Sequence, residues 1–194
     1  ALVATVICLV LAYPIAFIIS RMEKHRQGTM MMIVMLPMWV NFLLRTYAWR
    51  NLLEKSGVLN SFLTALGLPE QNLMYTQSAV ILCMVYNFLP YMIMPIYSVM
   101  AKLDYSMVEA CQDLGGNRLT VIRKCIIPMS MPGIVSGITM VFVPSVSTFY
   151  ISQQLGPTDF VLIGDVIETY FKSSAASSYH LGSAISLVLM ILIF

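Results

Sequence analysis

The chain has 194 residues, of which 59% are hydrophobic and only 10% are charged, and its mean hydropathy is +0.82. Soluble domains carry about 25% charged residues, so this composition excludes an ordinary soluble domain and indicates membrane lipid as the surrounding medium. The net charge of +2 is small and spread over several loops, so we expect no nucleic acid as a partner.

Five apolar runs follow one another along the chain. An untilted helix needs roughly 20 largely apolar residues to cross a membrane. The runs predict spans at about 1–20, 29–49, 76–100, 128–151 and 181–194. They are continuously apolar rather than alternating, and a lipid-exposed span must satisfy its own backbone hydrogen bonds, so we expect helices. The predicted fold class is all-α, a polytopic transmembrane helical bundle in a single domain, 1–194. Because the chain starts without Met inside the first run and stops inside the last, we expect it to be part of a longer polypeptide.

The distribution of Lys and Arg between the runs predicts the orientation of the chain, because cytoplasmic loops carry more of both. The first and third loops hold most of them: Arg21, Lys24, Arg26, Lys102, Arg118, Arg123 and Lys124. The fourth loop has Lys172 beside Asp159, Asp165 and Glu168. We therefore expect the first and third loops to lie in the cytoplasm and the fourth to lie outside.

Motifs for catalysis and metal binding are missing from the sequence. No Gly-Lys-Ser or Gly-Lys-Thr stands at the spacing of a phosphate-binding loop. Neither His25 nor His180 has a partner at metal-ligand spacing, and the four cysteines are not close-paired. We therefore expect no enzyme activity, no catalytic residue, no metal site, no disulfide and no cofactor in this chain.

The third loop, 101–127, is the polar stretch with the clearest local pattern. Ser106 and Glu109 have the spacing of a capping box, which predicts a helix over 107–114. The pair Gly115-Gly116 is expected to end that helix, because glycine tolerates left-handed backbone angles, and Asn117 is expected to cap a second helix. This pattern favours a compact helical hairpin that a partner protein could bind.

This hairpin resembles the EAA motif of ABC importer permeases. The family pattern is Glu-Ala-Ala, three residues, Gly, nine residues, Ile, one residue and Leu-Pro. Its spacing is matched here by Glu109, Ala110, Cys111, Gly115, Cys125, Ile127 and Pro128. The sequence departs from the pattern with Cys111 for the second Ala, Cys125 for Ile and Ile127 for Leu.

The resemblance implies the type I ABC importer permease fold, with five of six usual spans in this sequence and the first one missing. In that family the first helix of the motif is a coupling helix that docks in a groove on a separate ATPase. Carried over, the coupling positions are Glu109, Ala110, Cys111, Gly115, Arg118 and Arg123. The resemblance further implies a second permease subunit in a heterodimer, two ATPase subunits that carry ATP and Mg²⁺, an extracytoplasmic binding protein, and a multi-pass location in the bacterial inner membrane.

Three further segments, 36–68, 142–156 and 163–168, resemble the spermidine/putrescine permeases, and 36–68 is most similar to the first of their two permease subunits. This likeness implies a polyamine cargo. A chain of ammonium groups is recognised by carboxylates or aromatic faces. The candidates for the translocation path are aromatic or polar residues in or beside the spans: Trp39, Asn41, Arg45, Tyr86, Asn87, Tyr150 and Asp159.

Other interpretations remain open for these residues and for the chain. Trp and Tyr gather at membrane interfaces whatever the function, and polar side chains in a span also serve helix packing. The same permease fold carries sulfate, molybdate, ferric iron or phosphonate in related families, and an anion would favour Arg or Lys along the path. A channel or receptor that is not coupled to ATP is the alternative from another class.

Overall fold

The structure, a computed structural model, describes residues 1–67, 69, 72–113, 115–157, 161–173 and 176–193. Every regular element within these ranges is helical. The all-α fold class predicted from the sequence is therefore confirmed.

In the described part of the chain, three helical stretches are long and apolar enough to cross a membrane. The first is α1 (Leu2–Ser20), the second is α5 (Gln77–Met100), and the third is the continuous helical stretch Leu119–Ser147. Near the carboxyl end, α11 covers Ala176–Ile193 and so begins before the predicted span 181–194. Its apolar part, Ser178–Leu192, is shorter than these three stretches, and the last span stays a prediction.

The predicted span 29–49 is not one helix. It is divided into α2 (Lys24–Trp39) and α3 (Phe42–Leu53). The segments Lys24–Trp39 and Phe42–Ala65 are long and apolar enough to span a membrane only when they are taken together. Asn41 causes the break, because its backbone is not helical (φ −53°, ψ 136°) and its side-chain oxygen accepts a hydrogen bond from the Leu43 N–H at 2.8 Å. An asparagine at this position starts a new helix.

Shorter helices fill the segments between the long ones. They are α4 (Val58–Ala65), α6 (Tyr105–Asp113), α7 (Arg118–Val121), a π-helical segment (Ile122–Ile126), α8 (Ile127–Ser147), α9 (Tyr150–Leu155) and α10 (Ile163–Lys172). The third predicted loop is therefore a helical hairpin that continues through the π-helical segment into α8.

The chain divides into two compact units, and each has buried apolar residues of its own. Unit 1 comprises Ala1–Ala4, Val40–Asn87 and Phe142–Phe194, and unit 2 comprises Thr5–Trp39 and Phe88–Val141. The helices α1, α5 and α8 each contribute to both units. The single domain expected from the sequence stays a prediction.

Within unit 2, α8 packs closely against α5 at two glycines. A Cβ atom at Gly133 would lie 2.8 Å from the Pro95 carbonyl oxygen, and one at Gly137 would lie 2.7 Å from the Met92 sulfur. Real Cβ atoms do not approach a backbone oxygen so closely, so the small residues permit this contact, as in other membrane helix pairs. The hydroxyls of Tyr13 and Ser130, 3.1 Å apart, join α1 to α8.

Candidate functional site

The helix α6 is capped at its start by Asp104. The Ser106 N–H donates a hydrogen bond of 3.1 Å to Asp104 Oδ1, and the helix begins at Tyr105. The predicted capping box of Ser106 and Glu109 is therefore wrong, since Ser106 already lies inside the first turn. Aspartate is as good an N-cap as serine, so the sequence offered two candidates two residues apart.

The end of α6 depends on both glycines, each for a different reason. Gly115 has φ +81°, and its N–H donates to the Gln112 carbonyl at 2.9 Å. The Gly116 N–H donates to the Cys111 carbonyl at 3.2 Å, and a Cβ atom at Gly116 would lie 2.5 Å from that oxygen. These two bonds form a Schellman motif, which satisfies carbonyl groups at a helix end. The predicted helix stop is thus confirmed.

The second helix of the hairpin begins as expected from the sequence. Asn117 Oδ1 accepts hydrogen bonds from the Thr120 N–H at 2.8 Å and from the Thr120 hydroxyl at 2.7 Å. The π-helical segment that follows was not foreseen. Such segments are rare and occur often at functional sites, and here the segment contains Arg123.

The exposed side of α6 carries the residues that the family motif assigns to coupling. Glu109 and Ala110 are exposed, whereas Val108 and Val121 are buried. Cys111 is half-buried and Arg123 is exposed. Arg118 is the first residue of α7, and its side chain lies outside what the structure describes. The hairpin thus presents a helix whose two ends are fixed by hydrogen bonds and whose exposed side includes Glu109 and Ala110.

Aromatic side chains of unit 1 gather where α3 meets α9. The Tyr150 ring lies 6.1 Å from the Phe42 ring and 6.2 Å from the Tyr47 ring, measured between centroids. Trp49 and Tyr86 form a second, T-shaped pair at 5.3 Å. Of the predicted path residues, Tyr150 and Tyr86 are therefore engaged in aromatic pairs that sequence reasoning did not identify.

Trp39 and Asn41, two other predicted path residues, flank the break between α2 and α3. Trp39 is 76% exposed in this chain and is the last residue of α2. Asn41 is the N-cap of α3, so its side chain has a structural role. Asp159 lies outside the described residues.

Arg45 and Asn87 are buried polar side chains of unit 1. Asn87 Nδ2 donates to the Cys83 carbonyl oxygen at 2.9 Å and to the Cys83 sulfur at 3.3 Å. The residues are only 9% and 1% exposed, yet Arg45 Nε and Nη1 and Asn87 Oδ1 have no hydrogen-bond partner among the described residues. Unpaired buried polar atoms are costly, so these two side chains are the most unusual pair in unit 1.

Asp165 is a further candidate that the sequence placed only in an outer loop. It is 8% exposed, and its Oδ2 accepts hydrogen bonds from the Ser152 hydroxyl at 2.7 Å and the Leu162 N–H at 2.9 Å. Its Oδ1 is buried, and no hydrogen-bond donor in the described ranges reaches it. The available signal was its place three residues after Leu162, the N-cap residue of α10, where a carboxylate accepts a hydrogen bond from the cap N–H.

The comparison with known families decides the assignment of the chain. Residues 9–194 match the family described as "Binding-protein-dependent transport system inner membrane component". The chain belongs to this family. It is therefore a permease subunit of a binding-protein-dependent ABC importer and a multi-pass membrane protein, and the resemblance seen in the EAA-like hairpin is confirmed.

Individual proteins similar to this permease support the same assignment. The spermidine/putrescine transport system permease protein PotB of Escherichia coli is 38% identical over 193 residues, which cover 98% of this chain and 70% of that protein. PotB of Salmonella typhimurium is 38% identical over 199 residues, covering 98% and 69%.

A solved structure agrees with the fold. The crystal structure of a bacterial alginate ABC transporter, in complex with an alginate pentasaccharide-bound periplasmic protein, contains a similar chain with a TM-score of 0.74 and 18% identity. The match covers 99% of this chain and 72% of that chain. This similarity establishes the permease fold and does not identify the cargo.

Proposed function

We propose that this permease imports polyamines, spermidine or putrescine, across the bacterial inner membrane. The observation that carries the proposal is the 38% identity to the PotB permeases over 98% of the chain. An extracytoplasmic binding protein would deliver the polyamine, and a second permease subunit would complete the translocation path as a heterodimer.

Two partner ATPases supply the energy in this proposal, with ATP and Mg²⁺ bound to them and not to this chain. The ATPases bind the hairpin of α6 and α7 in this proposal, because Glu109 and Ala110 are exposed on a helix that is fixed at both ends. When ATP draws the ATPases together, the two coupling helices follow, and the membrane subunits change from inward-open to outward-open. A rigid helix transmits such a displacement, whereas a flexible loop would absorb it.

The chemistry of unit 1 is compatible with a cationic cargo. A buried carboxylate oxygen without a hydrogen-bond partner, such as Asp165 Oδ1 within the described part of the chain, favours an ammonium group as its partner. Tyr47 and Tyr150 offer aromatic faces, and a cation over such a ring gains about 0.5–2 kcal/mol.

One observation favours an anionic cargo as the second candidate. The Arg45 guanidinium is buried, and no carboxylate in the described residues pairs with it. Sulfate, molybdate or phosphonate would satisfy it. We rank this candidate second because the 38% identity to the PotB permeases over 98% of the chain favours a polyamine.

Uptake by the complete complex tests the cargo. The two permeases and the ATPases are reconstituted in vesicles with the binding protein outside and ATP inside, and entry of radiolabelled spermidine is measured. We expect entry that depends on ATP and that falls with excess unlabelled putrescine but not with sulfate. Competition by sulfate, or ATP-driven entry of sulfate instead of spermidine, would contradict the polyamine cargo and favour the anionic one.

A further inference from the structure

Two cysteines of the hairpin lie side by side, although 13 residues separate them in the chain. The Cys125 sulfur in the π-helical segment is 3.7 Å from the carbonyl oxygen of Met107, which is one helical turn before Cys111 in α6. Residues four apart lie on the same face of a helix, so Cys111 lies on the face of α6 that contacts Cys125. Both thiols are free. The hairpin therefore contains a thiol pair between its two arms.

The pair occupies two of the three positions at which this sequence departs from the EAA pattern. The motif has Ala and Ile at these places, neither of which can react with an oxidant. Here both are cysteines, and the fold brings their side chains together. Cys8 and Cys83, by contrast, are fully buried within α1 and α5.

We propose that Cys111 and Cys125 close to a disulfide in the presence of a peroxide-class oxidant, and that this bridge stops transport. The half-buried Cys111 is the residue that a small peroxide reaches, and Cys125, 8% exposed, is the resolving residue. The effect on transport rests on the proposed coupling role of α6, whereas the formation of the bridge does not.

The chemistry balances in two steps. The Cys111 thiolate attacks one peroxide oxygen, the O–O bond breaks, and Cys111 becomes a sulfenic acid while the other oxygen leaves as water after taking up a proton. The Cys125 thiol then attacks the Cys111 sulfur, the S–O bond breaks, and a second water leaves with the thiol proton. Two thiols and one peroxide thus give one disulfide and two waters. Cellular dithiols can reverse the bridge, since the cytoplasm keeps thiols reduced.

A bridge at this place ties α6 to the helical stretch that continues into α8. Disulfide formation requires Cβ atoms about 3.5–4.5 Å apart, so the two arms become fixed at short distance. The proposed loss of transport requires that α6 changes its position against the π-helical segment during the transport cycle, and the uptake measurement below tests this requirement.

The test uses the whole complex in vesicles, treated with hydrogen peroxide and then denatured in a maleimide reagent that adds mass to each free thiol. We expect this permease to lose two reactive thiols, to regain them with dithiothreitol, and to lose and regain ATP-driven uptake in parallel. Cys125→Ala is the main control variant, and Cys125→Ile, which restores the residue of the family motif, is the second. Both variants should transport before oxidation, form no intramolecular bridge, and keep their uptake after peroxide.

A matched control removes a cysteine outside the pair. Cys8→Ala should still form the bridge and lose uptake after peroxide. A wild-type permease that keeps all four thiols under peroxide would overturn the proposed bridge, whatever its cargo. A bridge that forms while uptake continues unchanged would overturn the regulatory role and leave the proposed import function intact.

Discussion

Gly115 allows a quantitative test of whether the shape of the hairpin determines coupling. Its φ of +81° lies in the left-handed region, and a Cβ atom there would meet no atom within 4 Å. Gly115→Ala therefore adds backbone strain without a steric clash. The strain amounts to about 1–2 kcal/mol for an L-residue, which corresponds to a factor of roughly 5–30 in an equilibrium constant. We expect the affinity of the purified ATPase for the permease in nanodiscs to fall by up to that factor, and uptake per ATP hydrolysed to fall with it.

The chain contains a matched control for this experiment. Gly67 has φ +77° and likewise no atom within 4 Å of a Cβ, but it lies in unit 1, outside the hairpin. Gly67→Ala carries the same backbone strain and should leave ATPase affinity unchanged. Gly115→Asn should be milder than Gly115→Ala, because asparagine tolerates the left-handed region better. If Gly115→Ala bound the ATPase as tightly as the wild type, the Schellman turn would not be needed for coupling.

Three other changes follow from the structure. Asp104→Ala removes the N-cap of α6 and should destabilise its first turn by about 0.5–2 kcal/mol. Faster hydrogen exchange of the backbone amides in that turn would show this. An equally large effect of Ser106→Ala would contradict the assignment of Asp104 as the cap. Gly133→Val places a side chain against the Pro95 carbonyl and should lower the thermal unfolding midpoint of the permease, while Gly28→Val, which meets no atom within 4 Å of its Cβ, should change it far less. Asp165→Asn keeps a side-chain acceptor for the Ser152 hydroxyl but removes the charge, so KM for spermidine uptake should rise, and an unchanged KM would exclude an ammonium contact at this residue.

Local patterns predicted the hairpin well because its determinants are close in sequence. The stop at Gly115-Gly116 and the cap at Asn117 depend on backbone preferences of those residues alone. The start was misplaced because Asp104 and Ser106 have similar capping ability, and only the helix geometry distinguishes them. The break at Asn41 was missed because apolar content defined the span, although asparagine is a signal for a helix start.

The contacts between distant segments could not be predicted from one sequence. Nothing in the spacing indicates that Tyr150 meets Tyr47, or that Tyr86 meets Trp49. These contacts depend on how helices pack, which periodicity alone does not determine. The pairing of Cys111 with Cys125 is of the same kind, since it requires the α6 turn and the π-helical segment together.

The most direct test concerns Glu109, on the exposed side of α6. The variant Glu109→Arg reverses the charge at the proposed docking surface and leaves both helix ends intact. The measurement is ATP-driven spermidine uptake, together with the amount of ATPase that co-purifies with the permease from membranes. We expect a correctly inserted permease that retains little ATPase and no ATP-driven uptake. Wild-type uptake with a full complement of ATPase would contradict the assignment of α6 as the coupling helix.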